Sequence, residues 1–247
     1  MEEEIQKDRG IPVREILPLK GMRKMAAEHL AKSHAQVAAV TNLGEVDATE
    51  FAALRERLAA EPARTGGVRL TYTPLLVKAL AQALGRHPVL NAALAEERPE
   101  ICVYAEVNVG VAVALPDGNL IVPVVHQADR KSLAEVAARV AEVTERARRG
   151  GLVPDDVRRG TFTLSNAGMV RGVGWATPIV HLPQAAILAT GRIELKPVVR
   201  DGAIVIRSLL PISLTYDHRI VNGIPAGEFL ESLIGLLEHP EQLDLGI

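Results

Sequence analysis

The feature that most constrains the fold is a pair of β-branched runs near the C terminus that meet at an Asp-Gly turn. The stretch reads KPVVRDGAIVIRSLLPISLTYDHRIV, with the turn at Asp201 and Gly202. Asp-Gly between apolar runs is a strong short-range signal for a β-hairpin. A second hairpin is predicted where Pro116, Asp117 and Gly118 join ICVYAEVNVGVAVAL to NLIVPVV. Two such hairpins require antiparallel strands and argue against a purely parallel sheet.

The first part of the chain is predicted to be mostly helical. Residues 22–33 and 49–60 have helical patterns, and VTNLGEVD between them is predicted to be a strand. Asp47, with Glu50 three residues later, is the predicted cap of the second helix. A third helix is predicted in TPLLVKALAQALGRHP, with Thr73 as its cap.

The later helices have clear boundaries. Ser132 and Glu135 form the pattern of a capping box, after which apolar residues recur at helical spacing until Gly150. A last helix is predicted over residues 225–237, with one apolar face made by Phe229, Leu230, Leu233 and Leu237. Between these helices, TFTLSNA and QAAILATGRIE are predicted to be strands. Strands grouped between helices, without strict βαβ alternation, favour an α/β fold with a mixed sheet packed against helices.

Length and composition are compatible with one domain. The chain has 247 residues and is 48% hydrophobic, which is enough for a sizeable core. Residues 1–19 mix charges with glycine and proline, so they are predicted to be a linker or an extended arm. The domain proper is predicted to cover residues 20–247.

Charge and aromatic content exclude several classes of function. The formal net charge is -2, and only 3% of residues are aromatic, so neither a nucleic-acid partner nor a membrane partner is predicted. No stretch approaches the roughly 20 apolar residues that span a bilayer, and the start MEEEIQKDRG is unlike a secretory signal. A single cysteine excludes an intrachain disulfide, so a reducing, cytoplasmic location is expected.

The sequence offers little support for a metal site. Cys102 lies in the apolar run ICVYAE and is predicted to be a small buried hydrophobic residue. His29 and His34 are five residues apart and lack the His-Glu-x-x-His spacing that places two ligands on one helix face. No metal is therefore predicted.

His218 is the first candidate for chemistry. It lies in SLTYDHRIVNG, where an apolar strand ends and the chain turns. The unperturbed pKa of histidine is near neutrality, so His218 can accept a proton from a thiol with a pKa of roughly 8.5. From the residues alone, the alternative is that His218 has only a structural role and is held by hydrogen bonds at the end of the strand. Ser165 likewise could be an ordinary strand serine, and it lacks the Gly-x-Ser-x-Gly context of a hydrolase nucleophile.

Seven motifs in order carry a family resemblance. They are GMRKMAAEHLAKS, NLGEVDATEFAALR, VNVGVAVALPDGNLIVPVV, ADRKSLAEVA, GTFTLSNAG, TPIV with QAAILATGRIE, and YDHRIVNG. In this order they resemble the catalytic domain of the dihydrolipoamide acyltransferase component of 2-oxo acid dehydrogenase complexes. That family is related to chloramphenicol acetyltransferase, so the resemblance implies a fold of the same kind.

The resemblance implies a role for each matching residue. The family's His-x-x-x-Asp-Gly signature corresponds to His218, Asn222 and Gly223, and the serine or threonine of its TFT-x-S segment to Ser165. His218 would act as general base on the attacking thiol, and Ser165 would donate to the oxyanion, without an acyl-enzyme. Asn222 stands where aspartate is commoner, which could weaken catalysis; alternatively it only caps the last helix.

The resemblance also implies binding partners. Coenzyme A is the implied substrate, with Arg55, Arg23 and Lys24 as candidates for its phosphates, although ordinary solvated helix surfaces are the alternative. No tightly bound cofactor is expected, because the resemblance implies that the lipoyl group belongs to a separate domain, which is expected to be missing from this chain. The implied assembly is a trimer with the site between subunits, built into a larger core that binds the decarboxylase and dihydrolipoamide dehydrogenase components.

Two alternatives remain open at the level of sequence. One is a related coenzyme A-dependent acyltransferase with an amine or alcohol acceptor, and the other is a core scaffold with weak catalysis. The sequence does not distinguish acetyl, succinyl and branched-chain acyl groups, because a few methylenes change binding in a pocket by only about 1 to 3 kcal/mol.

Overall fold

The computed structural model describes residues 7–61, 67–96 and 98–246. In these ranges the helices are α1 (Gly21–Gln36), α2 (Thr49–Ala59), α3 (Tyr72–Arg86), α4 (Leu133–Arg148) and α5 (Gly223–Glu238). The strands are β1 (Lys7–Asp8), β2 (Ile11–Pro12), β3 (Ala39–Asp47), β4 (Ala92–Leu94), β5 (Ile101–Val103), β6 (Val109–Val111), β7 (Val113–Ala114), β8 (Leu120–Ile121), β9 (Val124–Val125), β10 (Phe162–Asn166), β11 (Ala186–Thr190), β12 (Glu194–Arg200) and β13 (Ala203–Asp217).

The main sheet has seven strands and is mixed, as predicted. Its order is β12-β13-β11-β10-β6-β9, and β3 also pairs with β13. Strand β10 is parallel to both β6 and β11, whereas β13 is antiparallel to β11, β12 and β3. The expected fold class, an α/β domain with a mixed sheet against helices, is therefore confirmed.

The two faces of the sheet have different surroundings. Leu164, Leu188 and Leu214 are paired across β10, β11 and β13, and all three are fully buried in the core that includes residues of α2, α3 and α5. Successive residues of a strand point to opposite faces. The next row, which contains Ser165 and Ser213, therefore lies on the face opposite to the core formed with α2, α3 and α5.

Local sequence signals correctly placed several elements. Asp201 and Gly202 turn between β12 and β13 with φ angles of 50° and 77°. Ser132 accepts a hydrogen bond from Glu135 N, and the Glu135 carboxylate accepts one from Ser132 N, which confirms the capping box. The four residues predicted to form the apolar face of α5 are all buried.

Two predicted helix caps are wrong. Helix α3 begins at Tyr72 with Thr71 in the N-cap position, and Thr73 instead accepts a hydrogen bond from Asn166. Helix α2 has Ala48 in the N-cap position, although Asp47 Oδ1 accepts a bond from Thr49 N at 3.3 Å. The backbone N–H of Asp47 donates to Glu238 of α5 rather than to Glu50. In both cases a residue distant in sequence, Asn166 or Glu238, takes the place of the expected hydrogen-bond partner within the helix.

The run ICVYAEVNVGVAVAL is not one strand, contrary to the prediction. It contains β5, β6 and β7, and β5 pairs with β4 outside the main sheet. Asn91 holds the intervening turn, because its amide donates to the carbonyl oxygens of Tyr104 and Glu106. Cys102 lies in this small sheet and is exposed, so its predicted burial is wrong.

In the segment before α1, most of the residues whose burial is described are exposed. Residues 1–6 lie outside the described ranges, β1 and β2 form a short hairpin, and Ile16, Leu17 and Leu19 are exposed. The assignment of residues 1–19 to a linker or arm stays a prediction. No helix within the described parts of the chain has the length and apolar character needed to cross a membrane.

Candidate active site

His218 is the first residue after β13. Its backbone N–H donates to Ala38 O at 2.8 Å, and its exposed imidazole lies 5.9 Å from the ring of Tyr216. Within residues 7–61, 67–96 and 98–246, no side chain forms a hydrogen bond with the imidazole. The backbone is therefore fixed, while the ring nitrogens stay available to a substrate or to another subunit.

An ion pair holds the turn on which His218 lies. The carboxylate of Asp217 is almost fully buried, and Arg219 donates to both of its oxygens, with Nε at 2.9 and 3.0 Å. Arg219 N also donates to Asp217 Oδ1 at 3.0 Å. Hydrogen bonding to Asp217 raises the pKa of Arg219. A charged residue on each side of His218 was visible in the sequence, but the pairing of the two was not predicted.

Asn222 occupies the N-cap position of α5, but its side chain does not cap the helix. Its backbone carbonyl accepts from Ala226 N at 3.2 Å, whereas the exposed amide forms no capping bond. The side chain of Asn222 therefore gives no support to the alternative that this residue only caps the helix. The amide is free to contact a group outside this chain.

Ser165 lies in β10, an interior strand of the sheet, on the face opposite to the core formed with α2, α3 and α5. It is partly buried, and its hydroxyl has no hydrogen-bond partner among the residues that the structure describes. The 167–184 segment crosses this face, where Ala176 N donates to Ser213 Oγ at 3.4 Å. The Ser165 hydroxyl is therefore free to donate to a ligand.

The structure does not bring Ser165 and His218 together within one chain. Strand pairing aligns Ser165 with Ala189 and Ser213, and His218 follows Ser213 by five residues. At about 3.4 Å per residue along the strand and about 4.8 Å between strands, the two Cα atoms are about 19 Å apart. A serine and a histidine side chain together span less than half of that distance. The two residues of one chain cannot contact the same reacting atom.

The three basic candidates contact different parts of the chain. On α2, Arg55 Nε donates to Leu70 O at 3.2 Å, and the guanidinium lies 5.6 Å from the centre of the Tyr72 ring. On α1, Lys24 lies 3.7 Å from Glu28 in an exposed ion pair. Hydrogen bonds from Asn119 and the nearby charge of Arg23 lower the pKa of Asp117. These contacts alone do not assemble a phosphate site.

His29, one of the two histidines considered as metal ligands, lies beside a third histidine. The His29 ring packs on that of His181 at 4.6 Å, and burial, followed by the charge of His29, lowers the pKa of His181 to about 4. Among the described residues, no group of three or more His, Cys, Asp or Glu side chains is arranged to hold a metal ion.

Residues 12–245 match the model of a protein family described as 2-oxoacid dehydrogenases acyltransferase (catalytic domain). The chain belongs to this acyltransferase family. The dihydrolipoyllysine-residue acetyltransferase component of the pyruvate dehydrogenase complex of Bacillus subtilis is 37% identical over 223 residues, which are 90% of this chain and 50% of that protein. The chain therefore spans about half the length of the curated relatives it matches.

Solved structures of the family have the same fold. The dihydrolipoamide acetyltransferase of Azotobacter vinelandii is 36% identical, with a TM-score of 0.88 and 93% coverage of each chain. A cubic core of the pyruvate dehydrogenase multienzyme complex is 37% identical, with the same TM-score and coverage. Chloramphenicol acetyltransferase, 15% identical with a TM-score of 0.54, covers 90% of this chain and 99% of its own, and confirms the expected fold alone.

The Azotobacter acyltransferase gives context for Asn222. In that enzyme the roles of a serine, a histidine and an asparagine in the catalytic mechanism have been investigated, and the asparagine follows the histidine by four residues. His218 and Asn222 have the same spacing here. At least one solved relative therefore also has an asparagine four residues after a histidine whose catalytic role has been investigated.

Proposed function

We propose that this chain transfers an acyl group between coenzyme A and a dihydrolipoyl thiol, with acetyl as the acyl group. The observation that carries the proposal is the free imidazole of His218, on a turn fixed by Asp217 and Arg219, in a member of the acyltransferase family. The choice of acetyl rests on the relatives, which are acetyltransferases. Coenzyme A enters as a substrate, and no tightly bound cofactor is required.

In the proposed mechanism, His218 acts as general base. Its imidazole takes the proton of the attacking thiol as the sulfur bonds to the thioester carbon. The carbonyl oxygen gains negative charge and accepts a hydrogen bond from Ser165. Collapse of this intermediate breaks the original carbon–sulfur bond, and the imidazolium returns its proton to the leaving thiolate. A positioned base contributes about 10²- to 10⁴-fold and one oxyanion donor about 10²- to 10³-fold.

The distance of about 19 Å between Ser165 and His218 supports a site shared between two chains. His218 of one chain then faces Ser165 of another, and a closed trimer provides three equal sites. One face of the β12–β13 hairpin supports self-association, because its apolar side chains Leu195, Val199, Ile204 and Ile206 are 68–78% exposed in a single chain. We place these trimers in a larger core.

The remaining partners follow from the same proposal. The lipoyl domain carries the acyl group, and the decarboxylase and dihydrolipoamide dehydrogenase components act before and after this step. Residues 20–247 form the catalytic domain, and residues 1–19 a linker or arm. Arg23, Lys24 and Arg55 are the basic side chains proposed for the coenzyme A phosphates.

Acyl transfer to dihydrolipoamide tests the proposed function. Acetyl-, succinyl- and isobutyryl-coenzyme A are compared as donors for the unmodified chain and for His218→Ala, with assembly size matched. We expect acetyl transfer by the unmodified chain and a loss of at least about 10²-fold in the variant. Turnover that is unchanged by the substitution contradicts the mechanism. Absence of turnover in both proteins contradicts the function.

A further inference from the structure

Asn166 follows Ser165 directly, and its side chain lies on the opposite face of β10. There the Asn166 Nδ2 donates to Thr73 Oγ1, in the first turn of α3, at 3.2 Å. The Oδ1 atom of the same amide accepts from Gly168 N at 3.0 Å. One carboxamide thus connects the end of β10 both to the helix layer and to the loop that follows the strand.

The backbone beside this amide has little freedom. Ala167 N donates to Thr190 O at 2.9 Å, which extends the pairing of β10 with β11 beyond the end of the strand. A Cβ atom at Gly168 would lie only 3.1 Å from Gly191 O, so the loop passes close to the end of β11. The Asn166 amide is the side-chain link between this closely packed turn and α3.

Ser165 depends on its backbone for orientation. Its hydroxyl has no hydrogen-bond partner in the described part of the chain, so the position of Oγ follows from the backbone and the rotamer alone. An oxyanion donor is effective only at about 2.7 to 3.1 Å from the oxygen that becomes charged. A displacement of about 1 Å can reduce the rate about 10²-fold.

We propose that Asn166 is a positioning residue that directs the Ser165 hydroxyl into the acyl-transfer site through its hydrogen bond to Thr73. This inference rests on the proposed function, because it requires Ser165 to donate to the oxyanion. Asn166 itself lies on the other face of the strand and does not contact the reacting groups. Its loss therefore lowers kcat and leaves substrate binding unchanged.

A matched pair of variants at Thr73 tests the hydrogen bond without changing Asn166. Thr73→Val removes the acceptor hydroxyl while keeping the shape, and Thr73→Ser keeps the hydroxyl. We expect kcat to fall about tenfold in Thr73→Val, with KM for both substrates unchanged, and to stay within about twofold in Thr73→Ser. Equal kcat values in the two variants, at matched assembly size and Tm, overturn the proposal.

A double-mutant cycle separates positioning from a general structural effect. In the unmodified background Asn166→Ala lowers kcat, whereas in the Ser165→Ala background it causes no further loss, because the donor is already absent. Losses that multiply contradict the proposal. If Ser165→Ala is fully active while His218→Ala is inactive, the oxyanion role and this inference fail together. If the unmodified chain transfers no acyl group, the proposed function fails first.

Discussion

Replacing Arg219 with methionine tests whether the ion pair beside His218 stabilises both the fold and the site. The substitution keeps an unbranched apolar stem and removes the side-chain donors to Asp217, whose carboxylate is only 2% exposed. Breaking a buried ion pair costs about 3 to 5 kcal/mol. Because Arg219 is 43% exposed, water can replace part of the lost interaction. We therefore expect a loss of about 2 to 3 kcal/mol in the free energy of unfolding.

The effect of Arg219→Met is measured in two assays, thermal unfolding and acyl transfer. For a chain of this size, the loss corresponds to a decrease in Tm of about 4 to 12 °C. We also expect kcat to fall at least about tenfold, because the His218 backbone lies between the two paired residues. Combining Arg219→Met with Asp217→Asn removes the uncompensated charge, so the double variant should recover part of the Tm. A Tm and a kcat that both equal those of the unmodified chain refute this reasoning.

Three further outcomes follow from the packing. His181 has a pKa lowered to about 4, so the unfolded chain binds more protons than the folded chain between pH 6.5 and 4. Thermal stability should decrease as the pH falls through this window, and His181→Asn should flatten that dependence in scanning calorimetry. Gly191→Ala should lower the Tm, because the added Cβ would lie 2.2 Å from Gly174 O; Gly227→Ala, which meets no atom within 4 Å, is the control that should fold normally. Phe229→Ala should cost about 3 to 5 kcal/mol in urea unfolding, since the ring is fully buried, and a loss below about 1 kcal/mol would contradict its place in the core.

Elements with local determinants could be predicted from the sequence. The Asp201-Gly202 turn needs only the positive φ angles of its own two residues, and the capping box needs only Ser132 and Glu135. The apolar face of α5 follows from its helical period. Each of these signals lies within a few residues of the structure it specifies, so neighbouring elements do not change it.

Elements with distant partners could not be predicted. The division of ICVYAEVNVGVAVAL depends on β4 and on the amide of Asn91, neither of which the run itself specifies. Threonine is a common residue at helix N-caps, but the Thr73 hydroxyl accepts a hydrogen bond from Asn166, 93 residues later in the chain. In the same way, the choice of His218 and Ser165 came from residue type and resemblance, while their separation follows from the register of three strands.

Subunit complementation tests the shared site most directly. His218→Ala and Ser165→Ala chains are produced together with different affinity tags, and mixed assemblies are purified through both tags. If each site takes His218 from one chain and Ser165 from another, random mixing at equal amounts gives both native residues at about a quarter of the sites in a large core, or at about a third of the sites in isolated mixed trimers. We expect acyl transfer to recover to about that fraction, although each variant alone is nearly inactive. Mixed assemblies no more active than the separate variants would contradict a site formed between two chains.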